Sequence, residues 1–154
     1  MAARLDSVCR YICERGDWKV TNLQLQKLLY LAQMVYMGRS GGQRLADAHF
    51  EAWDYGPVEP TVHRKVRMFG ASPIPDVFYD ARGFRKDDER RLVLEEVCKD
   101  LLARCPGELV EITHWQEGAW AKFYEPGIRG IRIPDTVIAE ECNRRVEGRH
   151  IRRN

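Results

Sequence analysis

A chain of 154 residues is long enough for one domain and long enough to bury about two-thirds of its unfolded surface. With 44% hydrophobic and 31% charged residues the composition excludes disordered and fibrous classes. A formal charge of +2 gives no global field for nucleic acid or membrane, although RRVEGRHIRRN at the end sets Arg144, Arg145, Arg149, Arg152 and Arg153 against Glu147.

The first segment, LDSVCRYIC, places Leu5, Val8, Cys9, Ile12 and Cys13 on one helical face, and Gly16 supplies a stop. It lacks the apolar stretch of a signal peptide, and no run in the chain approaches membrane-spanning length. The five cysteines have no framework spacing. Cys9, Cys13, Cys98, Cys105 and Cys142 fall where a helix wants an apolar residue, which suits reduced thiols and a cytoplasmic protein.

Thr21-Asn22-Leu23-Gln24 has the spacing of a capping box and opens a second helix over about 22–37. One face carries Leu25, Leu28, Leu29, Ala32, Val35 and Tyr36. Leu23, Tyr30 and Met34 form a second stripe nearly opposite, leaving narrow polar seams at Asn22, Gln26 and Gln33. A helix apolar on both sides belongs at the centre of a bundle. Lys27 lies on the second stripe, where its ammonium either snorkels outward, the default for a long cationic side chain, or is paired in a partly buried site.

GRSGGQ reads as a loop and DAHFEAWDYG as a short strand ended by Gly56-Pro57. Trp53 is expected in the core; Tyr55, beside the turn, is open to either side. Pro60 starts a third helix that buries Val62, Val66 and Phe69 and stops at Gly70. Val77-Phe78-Tyr79 is a possible strand inside a Pro-interrupted connection. A fourth helix begins with Asp87, Asp88 and Glu89, buries Leu94, Val97, Cys98, Leu101, Leu102 and Cys105, and stops at Pro106-Gly107. A short fifth helix leads into His114-Trp115, and Asp135 or Thr136 caps a last helix carrying Val137, Ile138 and Cys142 inward. No repeat, low-complexity tract or linker interrupts the pattern. The expected fold is mainly α: a single-domain helical bundle over 1–143 around the central helix, with at most a small β element, followed by a basic tail at 144–154.

Catalytic and metal-binding patterns are poorly matched. His49-Phe50-Glu51 fits H-x-E, but the P-C-x-x-C partner of a zinc deaminase is missing. Cys9 and Cys13 share a helical face without a histidine at zinc spacing. Gly38, Gly41 and Gly42 follow a helix rather than a strand and precede no G-K-[ST]. No catalytic residue, cofactor or metal is expected. His114, beside Trp115 and near Trp120, suits a groove lining or a hydrogen-bonded core position equally.

TNLQLQKLLYLAQ (21–33), EAWDYGPVEP (51–60) and ELVEITHWQEGAW (108–120) resemble, in order, the successive blocks of the Panacea domain, the SocA-like antitoxin domain once grouped with GepA-type phage proteins. The positions that carry the resemblance are Lys27, Tyr30, Trp53, Gly56, Pro57, His114 and Trp120. One departure is Trp115, which stands between His114 and Gln116 where the family usually has Gln directly after His. The resemblance implies a non-catalytic antitoxin that binds a separately encoded protein toxin. In the family's namesake it also implies a proteolytic adaptor, which presents a SocB-like toxin to the ClpXP protease through ClpX. The sliding clamp would then be reached only indirectly, through the toxin.

A two-surface tether is the expected mechanism. The region of the Gly56-Pro57 turn and third helix would grip the toxin through Tyr55, His63, Arg64 and Arg67. The Arg-rich tail or the N-terminus would touch the protease, raising the local toxin concentration to around the millimolar range. The alternative is a small DNA-binding regulator whose five C-terminal arginines contact phosphates. It lacks a helix-turn-helix pair and a base-reading set, so nucleic acid is the disfavoured partner, and a membrane is not expected.

Overall fold

Thr21 decides where the central helix begins. Its backbone N–H donates to Gln24 Oε1 at 3.0 Å while its hydroxyl accepts from Gln24 N at 3.4 Å, a complete capping box. In this computed structural model residues 2–153 are described, with side chains from Ala2 to Glu147. The order is α1 (Leu5–Arg15), α2 (Asn22–Arg39), β1 (Phe50–Trp53), β2 (Gly56–Val58), α3 (Pro60–Val66), a single 3-10 turn (Arg67–Phe69), α4 (Glu89–Leu101), α5 (Pro106–Thr113), α6 (Ala119–Phe123), β3 (Arg132–Ile133) and α7 (Asp135–Arg153).

Helix α2 is surrounded: α7, α4, α5, α1 and α3 pack on it, as does β2. Leu25, Leu28, Leu29, Tyr30, Leu31 and Ala32 are buried in the same core as Val8 and Ile12 of α1 and Leu94 of α4. The expected mainly-α bundle around this helix is the observed one. Its polar seams, however, are inside. Gln33 Nε2 donates to the Ala46 carbonyl at 3.1 Å and its Oε1 accepts from Ala46 N at 2.8 Å, so a buried amide replaces the partner that a loop strand lacks. Gln26 does the same for Glu59, with 3.2 and 2.7 Å bonds.

The β element is an antiparallel three-stranded sheet in the order β2-β1-β3. Pairing of Trp53 with Gly56 leaves Asp54 and Tyr55 as the hairpin turn. The chain thus reverses before Gly56-Pro57, which the sequence reading took as a strand breaker and which instead opens β2. Pro57 is tolerated because β2 is an edge strand and needs no donor there. Alternation along β1 sends Phe50 and Ala52 inward, and Phe50 meets the Tyr30 ring edge-on with centroids 5.2 Å apart.

Other boundaries shift for physical reasons. Helix α3 ends at Val66, and Phe69, on the 3-10 turn, is half-buried rather than core. Residues 77–79 form no strand; Phe78 is buried beneath its loop and Tyr79 is exposed. Pro106 opens α5 at its first position instead of closing α4, which ends at Leu101. Cys105 is therefore exposed before α5, while Cys9, Cys13, Cys98 and Cys142 are buried. Helix α7 starts at Asp135, which accepts from Arg44 Nε at 2.7 Å, and it runs through most of the segment expected as a tail. The side chains of Arg149, Arg152 and Arg153 lie outside the described residues. Arg145 is no tail residue: it bonds Glu141 at 2.8 Å and the Ile112 carbonyl at 2.6 Å and covers the Trp115 ring. Among the described residues no helix is long and apolar enough to cross a membrane.

Candidate functional site

The polar residues of the central helix hold the hairpin in place. Lys27 Nζ donates to the Pro57 carbonyl at 3.0 Å, and Gln26 clasps the backbone of Glu59. Glu59 in turn caps α3, its Oε2 accepting from Val62 N at 2.7 Å. Burial raises the Glu59 carboxyl pKa, against the lowering effect of that backbone bond and of nearby His49. Gly56 runs at φ 111°, and a Cβ there would stand 2.8 Å from Thr113 Oγ1 and 3.0 Å from Lys27 Nζ. The L-Q-K-L run of α2 and the G-P-V-E run of the hairpin are two halves of one joint.

A second joint closes the other side of the hairpin. Trp120 Nε1 donates to the Trp53 carbonyl at 2.7 Å, and its ring is stacked between His114 at 3.8 Å and Tyr124 at 4.5 Å. The Tyr124 hydroxyl donates to Asp54 Oδ1 at 2.7 Å. Tyr30 donates to Glu141 Oε1 at 2.7 Å, and the same carboxylate accepts from Ala119 N at 2.9 Å. Burial first, then the charge of Glu141 and its hydrogen bond, push the Tyr30 phenol pKa well up. His114 belongs to this joint. Burial lowers its pKa, and the Lys27 charge adds to that against a backbone contact from Tyr55. Its Nε2 is buried without a hydrogen-bond partner.

Between these joints lies a cleft of about 350 Å³. Asn22, Leu23 and Lys27 of α2 form one side, and Trp53, Asp54 and Tyr55 of the hairpin the other. Gln26 of α2, Val58 of β2, His63 of α3, Gly70-Ala71 and Arg129 complete it. Trp53 is thus a half-buried wall of this cleft and not a core residue. Its indole N–H donates to Glu51 Oε1 at 2.9 Å, the Arg129 guanidinium lies 4.5 Å from its ring centroid, and His63 meets it edge-on at 4.8 Å.

The electrostatics of the cleft are cationic. Burial lowers the His63 pKa, and Arg129, Arg67 and Arg64 lower it further, so three guanidiniums act on this one ring. Lys27 does not snorkel; it is 0% exposed. Burial alone drives its pKa from 10.5 to about 7. No carboxylate pairs with it among the described residues, and the Pro57 carbonyl is its hydrogen-bond acceptor.

Of the four residues expected to meet a partner, Tyr55 and His63 line the cleft, and Tyr55 is 71% exposed. Arg64 and Arg67 are exposed beside it without lining it. Sequence reasoning missed Arg129, which sits in the Gly127–Gly130 span without periodicity, and Asn22. It read Gln26 only as a polar seam of α2 and passed over Glu59 and Glu141, whose positions among apolar neighbours in helical or extended spacing were the available signal. Among the described residues no group of three or more His, Cys, Asp or Glu gathers as a metal site.

The sequence model of the family described as Antitoxin SocA-like, Panacea domain, matches residues 25–121, well over half of the chain. The chain belongs to this family. Antitoxin SocA of Caulobacter vibrioides (strain NA1000 / CB15N) is 30% identical to it over 142 residues, covering 80% of this chain and 72% of that protein. No solved structure matches the chain. The Panacea span runs from the first buried leucine of α2 into α6 and takes in Lys27, the whole hairpin, His63, His114 and Trp120. Arg129, Glu141 and Arg145 lie beyond it.

Proposed function

We propose that this chain is the antitoxin of a toxin–antitoxin pair, that it binds its cognate protein toxin directly, and that the cleft between α2 and the hairpin is the gripping surface. One observation carries the reading: polar residues of the Panacea blocks fix the walls of a single cleft, whose lining sets Trp53, Tyr55, Leu23 and Val58 beside the charged Lys27, Asp54 and Arg129. A rigid aromatic wall with an exposed tyrosine at its lip is what a protein-binding hot spot requires. Nothing in it calls for turnover. Tyr55, His63, Arg64 and Arg67 would contact the toxin, the first two inside the cleft and the arginines on its flank.

The adaptor reading extends this. Once held, the toxin would be delivered to ClpXP in the cytoplasm by a second element outside the cleft, so that neutralisation combines capture with degradation. The reach of a tether, not chemistry at the cleft, sets the rate of such a transfer.

The test begins with the product of the neighbouring open reading frame, co-expressed with this chain. Co-purification and restored growth are expected, with Tyr55→Ala and Arg64→Glu each weakening capture at least ten-fold. Unchanged capture by both variants would remove the cleft from the reading. A toxin half-life that is equally long with and without the chain, in cells with intact ClpX, would remove the adaptor step alone.

A further inference from the structure

An ammonium buried without a counter-ion is costly, and a neutral side chain of similar length would fill the same space. Lys27 bonds the Pro57 carbonyl of β2, an edge strand buried by the helices packed on it. Its charge lies beneath a cleft whose opposite wall carries Arg129 over Trp53, with His63, Arg64 and Arg67 alongside. Two carboxylates share these walls, Asp54 in the lining and Glu51 behind the Trp53 indole, and their neutral donors, Tyr124 and Trp53, leave both charges in place. Asn22 Oδ1, in the cleft wall, is buried and has no hydrogen-bond partner. Against those two carboxylates stand Arg129, Arg64 and Arg67 with the Lys27 ammonium beneath, so the cleft carries an excess of positive charge and one unanswered acceptor.

We propose that the cleft receives an acidic side chain from an internal segment of the partner polypeptide, its carboxylate seated between the Arg129 guanidinium and the floor above Lys27. A backbone N–H of the same segment meets Asn22 Oδ1. The partner's flanking residues are apolar, because Tyr55, Met68 and Ile128 expose large apolar surfaces on segments that line or adjoin the cleft. Apolar surface on more than one side suits a chain that continues past the cleft, not one that ends in it. Covered by that segment, the cleft loses water, and the attraction between the carboxylate and the cations strengthens accordingly. This inference rests on the cleft being the toxin-binding surface and names the chemistry that it selects.

Two arms test it. With the captured toxin, Lys27→Met and Arg129→Gln are each expected to weaken affinity at least ten-fold, while Lys27→Met raises the melting temperature of the free chain. Among the toxin's acidic residues, one Glu→Gln or Asp→Asn change should reproduce the loss and add nothing to it when combined with Lys27→Met. Unchanged affinity for Arg129→Gln, or no coupled acid in the toxin, overturns the proposal and leaves the antitoxin reading intact. The second arm needs no toxin. A capped tripeptide with glutamate between leucine and phenylalanine should move the Trp53 indole resonance at several-fold lower concentration than its glutamine counterpart. That preference should vanish in Arg129→Gln. Equal responses overturn the proposal, as does an equally strong response to the glutamine peptide with a free C-terminal carboxylate. Failure to capture any toxin defeats the antitoxin reading, and the peptide preference then decides this one.

Discussion

Lys27 links stability to pH in a direction opposite to a surface lysine that gains an acidic partner. In the unfolded chain it binds a proton up to its ordinary value of 10.5; in the folded chain it gives the proton up near 7. Between those limits the unfolded state holds more protons, so stability rises with pH from about 7 to 10.5, and below 7 the full burial penalty applies. A drop of that size corresponds to roughly 5 kcal/mol against the charged form. Lys27→Met should therefore be more stable than the parent at pH 6 and lose the advantage progressively by pH 10. Paired thermal melts across that range check this; parallel pH profiles would refute the buried charge. The sequence placed Lys27 on an apolar stripe but not its outcome. Snorkelling needs a free path to water, and the hairpin that closes the path comes from a segment thirty residues on.

Elements in this protein are joined side chain to backbone, and the joints set their tolerance to change. Gln26→Leu keeps the apolar fill but strands the N–H and carbonyl of Glu59, so a loss of about 2–3 kcal/mol is expected in chemical denaturation. Gly56→Ala adds a methyl against Thr113 and Lys27 at a positive φ, and should cost about 1–3 kcal/mol in the same assay. Helices were legible because their signals are local: the Thr21 capping box, Pro60 at the start of α3, the acids before α4. The hairpin was half legible. Alternation in 50–53 marked β1, but β2 is three residues long and contains a proline, so only its pairing partner reveals it. The boundary at Pro106 was misread for a related reason, since proline ends one helix and begins the next with equal ease.

At the scale of the whole molecule, the candidate site was visible in the sequence as three blocks but not as one place. Trp53, His114 and Trp120 were singled out separately; His114 and Trp120 stack within one segment, but the Trp120-to-Trp53 bond depends on a contact 67 residues apart. Arg129 was invisible, because a lone arginine among glycines carries no period and no motif. The core was more legible than the site, since burial follows from repeated apolar spacing while a cleft depends on what several elements leave uncovered.

Glu141 has a practical consequence for anyone who recombines such domains. It belongs to α7, twenty residues beyond the matched family span, yet it satisfies the hydroxyl of Tyr30 and the amide of Ala119 within that span. A fragment cut to 25–121 would lose α7 and α1 and bare the apolar faces of α2 that they cover, along with both groups that Glu141 receives, and circular dichroism should find it without a cooperative melt. Swapping the span between relatives would transplant a lock without its bolt. A working chimera has to bring its own terminal helix along.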